Sequence, residues 1–201
     1  DQTKLLRSVD EGATWTEIAE APEKIQSIYL DRDESILYFA TCQLDGDDQS
    51  FIVYSVDLSD EEMPVSEVVV HDAHAVIYFL ELYMLLGSLY VLTMETHSGI
   101  ARLYKISQGL CQLKEDLNNV YPRTMPVVDN NGNVYFLGSE TDSDPVTLYV
   151  YYPASKDLDL LKEIIPQGSV PYRALHYDGA NELHFVIRYD NENHFFTYDI
   201  N

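Results

Sequence analysis

Basic residues, cysteines and helix-length apolar runs are scarce in this sequence. Lys and Arg together number 12, against 34 Asp and Glu, which gives a formal charge of −22 at pH 7. A surface of this charge repels phosphate backbones and anionic lipid head groups, and the few basic residues form no local patch that would overcome it. The composition therefore argues against nucleic-acid binding and favours a basic partner.

Cysteine chemistry is equally limited. The two cysteines, Cys42 and Cys111, are too few for a disulfide framework and lack the C-x-x-C spacing of zinc or redox sites. We expect two buried free thiols in preference to one disulfide, because a free cysteine usually behaves as a small apolar residue.

The longest apolar stretch covers residues 76–94 and contains Glu81 as its only charged residue. A membrane-spanning helix needs about 20 consecutive apolar residues, so the length is borderline. The Gly87-Ser88 pair divides the stretch into two halves of strand length. We therefore predict two β-strands here and no membrane insertion. No apolar leader precedes Asp1, which we expect to be a processed or engineered end.

Tyrosine is abundant, with 16 copies against 7 Phe and 1 Trp, an aromatic set typical of β-strands. Short apolar runs that end in an aromatic residue or an arginine recur at nearly constant spacing. Their anchors are 47, 50, 47 and 47 positions apart and are Arg7, Tyr54, Tyr104, Tyr151 and Tyr198. Paired apolar runs around a tight polar turn keep the same register, with equivalent positions at Tyr38, Tyr90, Tyr135 and His184.

A repeat of about 48 residues with four short strands and no clear helix is typical of a β-propeller blade, an antiparallel sheet that stacks on its neighbours. We therefore predict an all-β fold made of such blades, as a single propeller domain or fragment over residues 1–201. The predicted blades are residues 4–18 (partial), 24–70, 73–118, 121–166 and 168–201 (partial). Two architectures stay open: an incomplete ring, which we favour, and a small ring whose terminal strands share one blade.

One turn carries a complete eight-residue motif. Residues 8–15 read S-x-D-x-G-x-T-W, and the fixed positions are Ser8, Asp10, Gly12, Thr14 and Trp15. An aspartate can accept backbone N–H bonds across a turn, a glycine can adopt a positive φ, and a tryptophan can pack back on the hairpin. We therefore predict a structural role for these residues and no ligand contact.

This motif resembles the Asp-box, or BNR repeat, of sialidases, sortilin-type receptor propellers and photosystem assembly factors. In those families the box forms the turn between the third and fourth strands of a blade, where the repeat also places residues 8–15. The resemblance implies a β-propeller. Because Asp-box proteins are mostly exported, it also implies an extracellular, periplasmic or cell-surface location.

A sialidase would need three arginines that grip a carboxylate, since paired guanidinium hydrogen bonds fix such a group. None of the six arginines has the Arg-Ile-Pro context of that family. Arg123 and Arg173, the latter next to Tyr172, begin inner-strand segments. We therefore predict Arg123, Tyr172 and Arg173 as binding residues on the face that carries the loops into the inner strands.

Other sources of chemistry are weak. The acidic loops 45–48, 129–132 and 142–144 offer oxygen ligands but lack the calcium-loop spacing, and no H-E-x-x-H, P-loop or nucleophile-elbow motif occurs. We predict no catalytic residue, metal or cofactor. The favoured function is a non-catalytic binding or scaffold module with a protein or glycan ligand. Two alternatives are a sialidase-like, glycan-active hydrolase with part of its site outside this segment, and an intracellular assembly factor.

Overall fold

The computed structural model describes residues 2–45, 48–85, 87–95, 101–117, 120–124, 126–141, 144–163 and 170–200; for residues 44, 45, 48, 72–75, 78, 79, 94, 95, 114–116, 162, 163 and 170–174 it describes the backbone alone. Within these ranges the regular structure is β-strand with no helix, which confirms the all-β prediction. No helix long and apolar enough to cross a membrane was found there.

Eighteen strands are described in these ranges. They are β1 (Lys4–Arg7), β2 (Thr16–Glu20), β3 (Ile25–Asp31), β4 (Ile36–Asp45), β5 (Asp48–Asp57), β6 (Val65–Ala75), β7 (Ile77–Leu85), β8 (Ser88–Glu95), β9 (Ala101–Ser107), β10 (Leu110–Leu117), β11 (Tyr121–Pro122), β12 (Val127–Val128), β13 (Val134–Ser139), β14 (Thr147–Tyr152), β15 (Asp157–Glu163), β16 (Val170–Tyr177), β17 (Glu182–Tyr189) and β18 (Glu192–Asp199). The apolar stretch at 76–94 forms β7 and most of β8, as predicted.

The described strands form sheets whose order follows the sequence. β1 pairs with β2, and the next two sheets have the orders β3-β4-β5-β6 and β7-β8-β9-β10. The fourth has the order β11-β13-β14-β15, with β12 also paired to β13, and the last has the order β16-β17-β18. The neighbouring strands pair antiparallel, for example β3 with β4 and β17 with β18. These sheets are the blades of a β-propeller fold, so the predicted fold class is confirmed.

The chain divides into two compact units. One consists of Asp1–His97 with Tyr104–Lys114, and the other of Ser98–Leu103 with Glu115–Asn201.

Neighbouring sheets within each unit share apolar cores. In the first unit β1–β2 packs on β3–β6 around Phe39, and β3–β6 packs on β7–β10 around Phe51 and Val53. In the second unit β11–β15 packs on β16–β18 around Leu148 and Phe185. A sheet that is covered on both faces needs apolar residues at successive positions. This is why all six residues of β13 are buried.

Strand β13 also contains a position where a side chain does not fit. Gly138 pairs with Pro122 of β11. A Cβ atom at position 138 would lie 2.9 Å from Val120 Cγ1 and 3.0 Å from the Tyr121 carbonyl oxygen. Glycine therefore permits the close approach of β11 to β13.

In the four sheets that follow β1–β2, equivalent residues of adjacent strands lie opposite each other. The cross-strand pairs are Tyr29 with Tyr38, Tyr83 with Tyr90, Val127 with Tyr135 and His176 with His184. The second member of each pair is the position that the sequence repeat aligns. The sequence repeat therefore reflects a shared strand register, so residues at equivalent positions of different blades can be compared directly.

Cys42 and Cys111 are free thiols, as predicted, but they are half-buried and not buried as expected. They pack against the core shared by β3–β6 and β7–β10. Burial raises the pKa of Cys42 to about 11 and that of Cys111 to about 12. Both thiols therefore stay protonated at neutral pH and react slowly.

Candidate functional site

A polar cavity of about 360 Å³ lies in the second unit, where the turn after β12 meets the turn after β16. Its described lining is rich in amide and phenol groups and consists of Asp129, Asn130, Asn131, Asn133, Tyr135, Tyr152, Tyr177, Ala180, Asn181 and Ile200. The volume falls within the range of small-molecule sites, which is about 300 to 1,000 Å³. We name it the Asn–Tyr cavity.

One wall of the cavity is built around Asp129, which is 8% exposed. Its Oδ1 accepts the backbone N–H groups of Asn131 and Asn133 at 2.8 and 2.9 Å. Its Oδ2 accepts the Asn133 side-chain amide at 2.8 Å and the Tyr135 hydroxyl at 3.0 Å. Gly132, at φ +84°, completes the turn by donating its N–H to the Asp129 carbonyl oxygen at 3.0 Å. The carboxylate is therefore fully engaged in holding the turn.

The hydroxyl of Tyr135 is held in its neutral form. Burial is the largest cause that raises its pKa above the usual value, and the hydrogen bond to Asp129 and the negative charge of that carboxylate raise it further. A neutral phenol donates a hydrogen bond and cannot act as an anionic nucleophile at physiological pH. Tyr135 therefore supports the turn.

The opposite wall is the turn after β16. Asp178 accepts the backbone N–H groups of Ala180 and Glu182 at 2.8 and 2.9 Å. These two bonds are the main cause that lowers the pKa of Asp178. The Tyr177 hydroxyl donates to the Ala180 carbonyl oxygen at 2.6 Å. The wall is thus a second aspartate-closed turn, at the position that the repeat makes equivalent to Asp129.

Among the described contacts, the side chain of Asn130 joins the two walls. The Asn130 amide donates to the carbonyl oxygen of Gly179 at 3.0 Å. This bond ties one hairpin turn to the next within the second unit and fixes the width of the cavity at this point. The remaining amides, those of Asn131 and Asn181, belong to exposed residues on the lining.

The lining favours neutral, hydroxyl-bearing ligands. Amide groups both donate and accept hydrogen bonds, and tyrosine rings offer an apolar face with a polar tip. Asp129 and the nearby Asp178 disfavour anions such as phosphates by like-charge repulsion.

Of the three predicted binding residues, Arg123 has a described side chain, and it is not among the described lining residues of this cavity. Arg123 precedes β12, whereas the cavity follows β12, and its backbone N–H donates to the Leu137 carbonyl oxygen at 2.7 Å. Its guanidinium donates to Ser139 Oγ at 3.1 Å and to the Thr141 carbonyl oxygen at 3.5 Å. The backbone of Tyr172 and Arg173 lies in β16, and their side chains lie outside the described residues. Their binding role stays a prediction.

The motif turn between β1 and β2 forms the hydrogen bonds expected of its residue types. Thr14 donates its N–H to Asp10 Oδ1 at 2.8 Å and its hydroxyl to Oδ2 at 2.6 Å, and Ser8 donates to Oδ1 at 2.9 Å. The Thr14 bonds are the main cause that lowers the pKa of Asp10. Gly12 has φ +90° and its N–H donates to Ser8 Oγ at 2.7 Å, while Trp15 is 61% exposed.

A buried carboxylate also occurs in the first unit. Glu81 is 6% exposed and accepts the Ser27 hydroxyl at 2.7 Å. Ser27 Oγ in turn accepts the N–H of Leu82 at 3.0 Å. These bonds link β3 to β7, so they join two stacked sheets through a polar contact inside an apolar core. Their role in the described contacts is structural.

One group of side chains could hold a metal ion. The ligand atoms of Asp178, Glu182 and His184 all lie within 4.8 Å of one another. Asp178 already accepts two backbone hydrogen bonds, and His184 Nδ1 lies 3.2 Å from Thr197 Oγ1. Two of the three residues are exposed, so this is a possible arrangement of ligands on the surface and not an enclosed site.

No family model matches the chain, and no curated protein matches it. The Asp-box resemblance therefore stays a prediction. Solved structures do match. A candidate 6-phosphogluconolactonase from Bacteroides uniformis is 14% identical with a TM-score of 0.67, and the match covers 98% of this chain and 60% of that one. Another from Bacteroides fragilis is 15% identical with a TM-score of 0.56, covering 98% and 63%.

A puromycin-hydrolyzing peptidase from Mycobacterium tuberculosis is similar over 96% of this chain and 30% of its own, with 15% identity and a TM-score of 0.62. At these identities the similarity establishes the fold and nothing about chemistry. The chain spans less than two thirds of each of these three proteins.

Proposed function

We propose that this protein is a non-catalytic binding propeller whose Asn–Tyr cavity holds a neutral, hydroxyl-rich ligand of the short-glycan class. The observation that carries the proposal is that the carboxylate of Asp129 is engaged in hydrogen bonds within its turn. Among the described lining residues it is the only carboxylate, and each of its oxygens accepts two hydrogen bonds. An acid that holds a turn in this way leaves the cavity to bind a ligand without transforming it.

Hydrolysis of a glycosidic bond needs two carboxyl groups that can transfer a proton or attack carbon. Asp129 has no lone pair left for that work, and Tyr135 is held neutral. Binding a sugar needs less. Amides that pair with hydroxyl groups and rings that pack on the C–H face of a pyranose are enough. Asn131, Asn181 and Tyr152 supply these groups.

The proposal includes an exported or cell-surface location, for which the support is the Asp-box resemblance of residues 8–15. A glycan ligand suits that location. A protein ligand with basic character is compatible with the formal charge of −22 and would bind elsewhere on the surface.

A hydrolase is the second candidate. The fold-matched solved structures carry the names of a lactonase candidate and a peptidase, and this chain spans 60% and 30% of two of them. A sialidase-like or other hydrolytic site would then use residues outside the described part of the chain. The two candidates differ in one outcome, because a hydrolase consumes its ligand whereas a binding module returns it unchanged.

The test is a titration of the protein with neutral mono- and disaccharides, followed by calorimetry and by NMR of the free sugar. Asn181→Ala removes an exposed amide from the cavity, and we expect it to weaken binding about tenfold, the effect of one lost hydrogen bond of about 1.4 kcal/mol. Asn193→Ala makes the same chemical change on β18, outside the cavity lining, and should leave affinity within about twofold.

Three results would overturn the proposal. If no neutral saccharide binds, or if both variants lose affinity equally, the cavity is not a glycan site. If the sugar signals change with time in the presence of the protein, the hydrolase candidate replaces the binding module.

A further inference from the structure

Three aromatic rings lie side by side on one face of the β16–β18 sheet. His176 of β16 pairs with His184 of β17, with ring centroids 6.2 Å apart, and His184 stacks on Phe195 of β18 at 5.8 Å. These rings line an open groove of about 400 Å³ together with Val186 and the buried Phe185. We name His176, His184, Val186 and Phe195 the His–Phe face. Phe195 is 69% exposed, which is unusual for a phenylalanine in the middle of a strand.

The other face of the same sheet is buried. Leu183, Phe185 and Ile187 alternate with the His–Phe residues along β17 and are at most 2% exposed. They pack against the preceding sheet in the core of the second unit. Because strand residues alternate between faces, the His–Phe residues lie on the other side of the sheet, where Phe195 is 69% exposed and His184 also contacts Glu182 at 3.7 Å and Thr197 at 3.2 Å.

The β3–β6 sheet indicates what covers such a face. In the last sheet Val186 pairs with Phe195, two positions beyond His184, and we name these two residues the outer pair. Two positions beyond Tyr38, the equivalent pair is Ala40 and Val53, and both are fully buried. The residues that cover them come from the first two strands of the next sheet and are Leu80, Leu82, Leu89 and Val91.

The β11–β15 sheet repeats the arrangement. Two positions beyond Tyr135, the equivalent of the outer pair is Leu137 and Leu148, and both are fully buried. The covering residues again come from the first two strands of the following sheet and are Leu175, Leu183, Phe185 and Ile187. In both cases, therefore, this register position is buried by the aliphatic and aromatic face of a following blade.

We propose that the His–Phe face is the docking surface for a further four-stranded antiparallel blade of the natural polypeptide, which presents apolar residues from its first two strands. The register comparison with two other sheets supports this occupant. The solved structures of the same fold also extend well beyond the matched part, since this chain covers 60% and 63% of two of them.

The test compares thiol reactivity at Phe195→Cys in the protein isolated from its own host and in the 201-residue chain. Val9→Cys is the matched control, because Val9 is 82% exposed on the β1–β2 turn. Thr197→Cys is a second exposed probe on the same strand and face, and it replaces Phe195→Cys if that variant does not fold. Peptide mass analysis assigns each label to its position.

In the 201-residue chain we expect the thiols introduced at 195 and at 9 to react at rates within about threefold of each other. In the isolated protein the thiol at 195 should react at least about tenfold more slowly, while that at 9 is unchanged. A photoreactive cross-linker at 195 should then capture a strand-forming peptide of the same polypeptide. Equal rates at 195 in both forms would overturn the proposal. So would capture of a second copy of the chain or of another protein.

Discussion

Two aspartate-closed turns of this protein use the same chemistry in different surroundings. Asp10 and Asp129 each accept a backbone N–H group and a hydroxyl group. Asp10 lies exposed at the end of a two-stranded sheet, whereas Asp129 is 8% exposed and forms a cavity wall. Only the Asp10 turn matches a recognisable sequence motif.

The difference indicates that burial, and not the completeness of a motif, determines how much the hydrogen bonds of a turn contribute to stability. Around Asp10 water can replace each lost hydrogen bond, so the bonds contribute little net free energy. Around Asp129 the donors are partly or fully buried, and a donor left without its acceptor would keep its full desolvation cost. The following predictions test this comparison.

The largest effect is expected for Asp129→Ala. It removes the acceptor of four hydrogen bonds and leaves the buried Tyr135 hydroxyl and the Asn133 N–H without it. We expect the free energy of unfolding to fall by about 3 kcal/mol, the cost of one or two buried groups left unsatisfied. Urea unfolding followed by circular dichroism measures it.

Asp129→Asn is the control for shape, since it keeps the volume but exchanges one acceptor oxygen for a donor. The free energy of unfolding of Asp129→Asn should lie between that of the wild type and that of Asp129→Ala. The comparison fails if Asp129→Ala costs no more than Asp10→Ala measured in the same way.

A smaller effect is expected for Tyr135→Phe, which removes one hydrogen bond to Asp129. The free energy of unfolding at pH 7 should fall by about 1 kcal/mol. The pKa of Tyr135 is raised in the folded state, so its contribution is fully present below pH 10 and is lost as the pH rises beyond it. The gap between wild type and variant should therefore narrow in urea titrations above pH 10. A gap that widens there would contradict the assigned direction.

The smallest effect is expected for Asp10→Asn. The pKa of Asp10 is lowered from 3.8 in the folded state, so its carboxylate stabilises the fold above that pH and loses this contribution as the pH falls through the folded value. Thermal melts at pH 6 and pH 2.5 measure the difference between wild type and variant. We expect a small gap at pH 6 that is narrower at pH 2.5, and a gap that is constant with pH would count against the Thr14 hydrogen bonds as its cause.

The blade repeat could be predicted because it is written in local signals. Apolar runs, tight turns and the spacing of Tyr38, Tyr90, Tyr135 and His184 need no knowledge of contacts. Burial of the inner strands on both faces also follows from their near-continuous apolar runs, as in β13. These features depend on neighbours in sequence or at one fixed period.

The cavity could not be predicted in the same way. Its walls meet through the Asn130 bond to Gly179, a contact between residues 49 positions apart whose chemistry is that of any surface asparagine. The loop at 129–132 offers oxygen ligands but lacks the calcium-loop spacing, so the sequence indicates no site there. The available signal was the period itself, since Asp129 and Asp178 are also 49 positions apart and both precede tight turns.

The binding role of Arg123 stays a prediction. Its place at the start of an inner strand predicts a binding group, and in the structure its guanidinium donates to Ser139 and to the Thr141 carbonyl oxygen. An arginine that hydrogen-bonds within the fold and an arginine that binds a ligand can have the same sequence context. Only the partners of the side chain distinguish them.

The absence of a side chain at Gly138 has a consequence for how this sequence can change over generations. Any replacement would place an atom within 3.0 Å of the Val120 side chain and the Tyr121 backbone. The side chain can be trimmed by a second mutation, but the backbone cannot, so a single substitution at 138 has no simple compensating partner. Among homologues we expect this position to vary less than the exposed turns. A glycine here should therefore help to align this blade even between distantly related sequences.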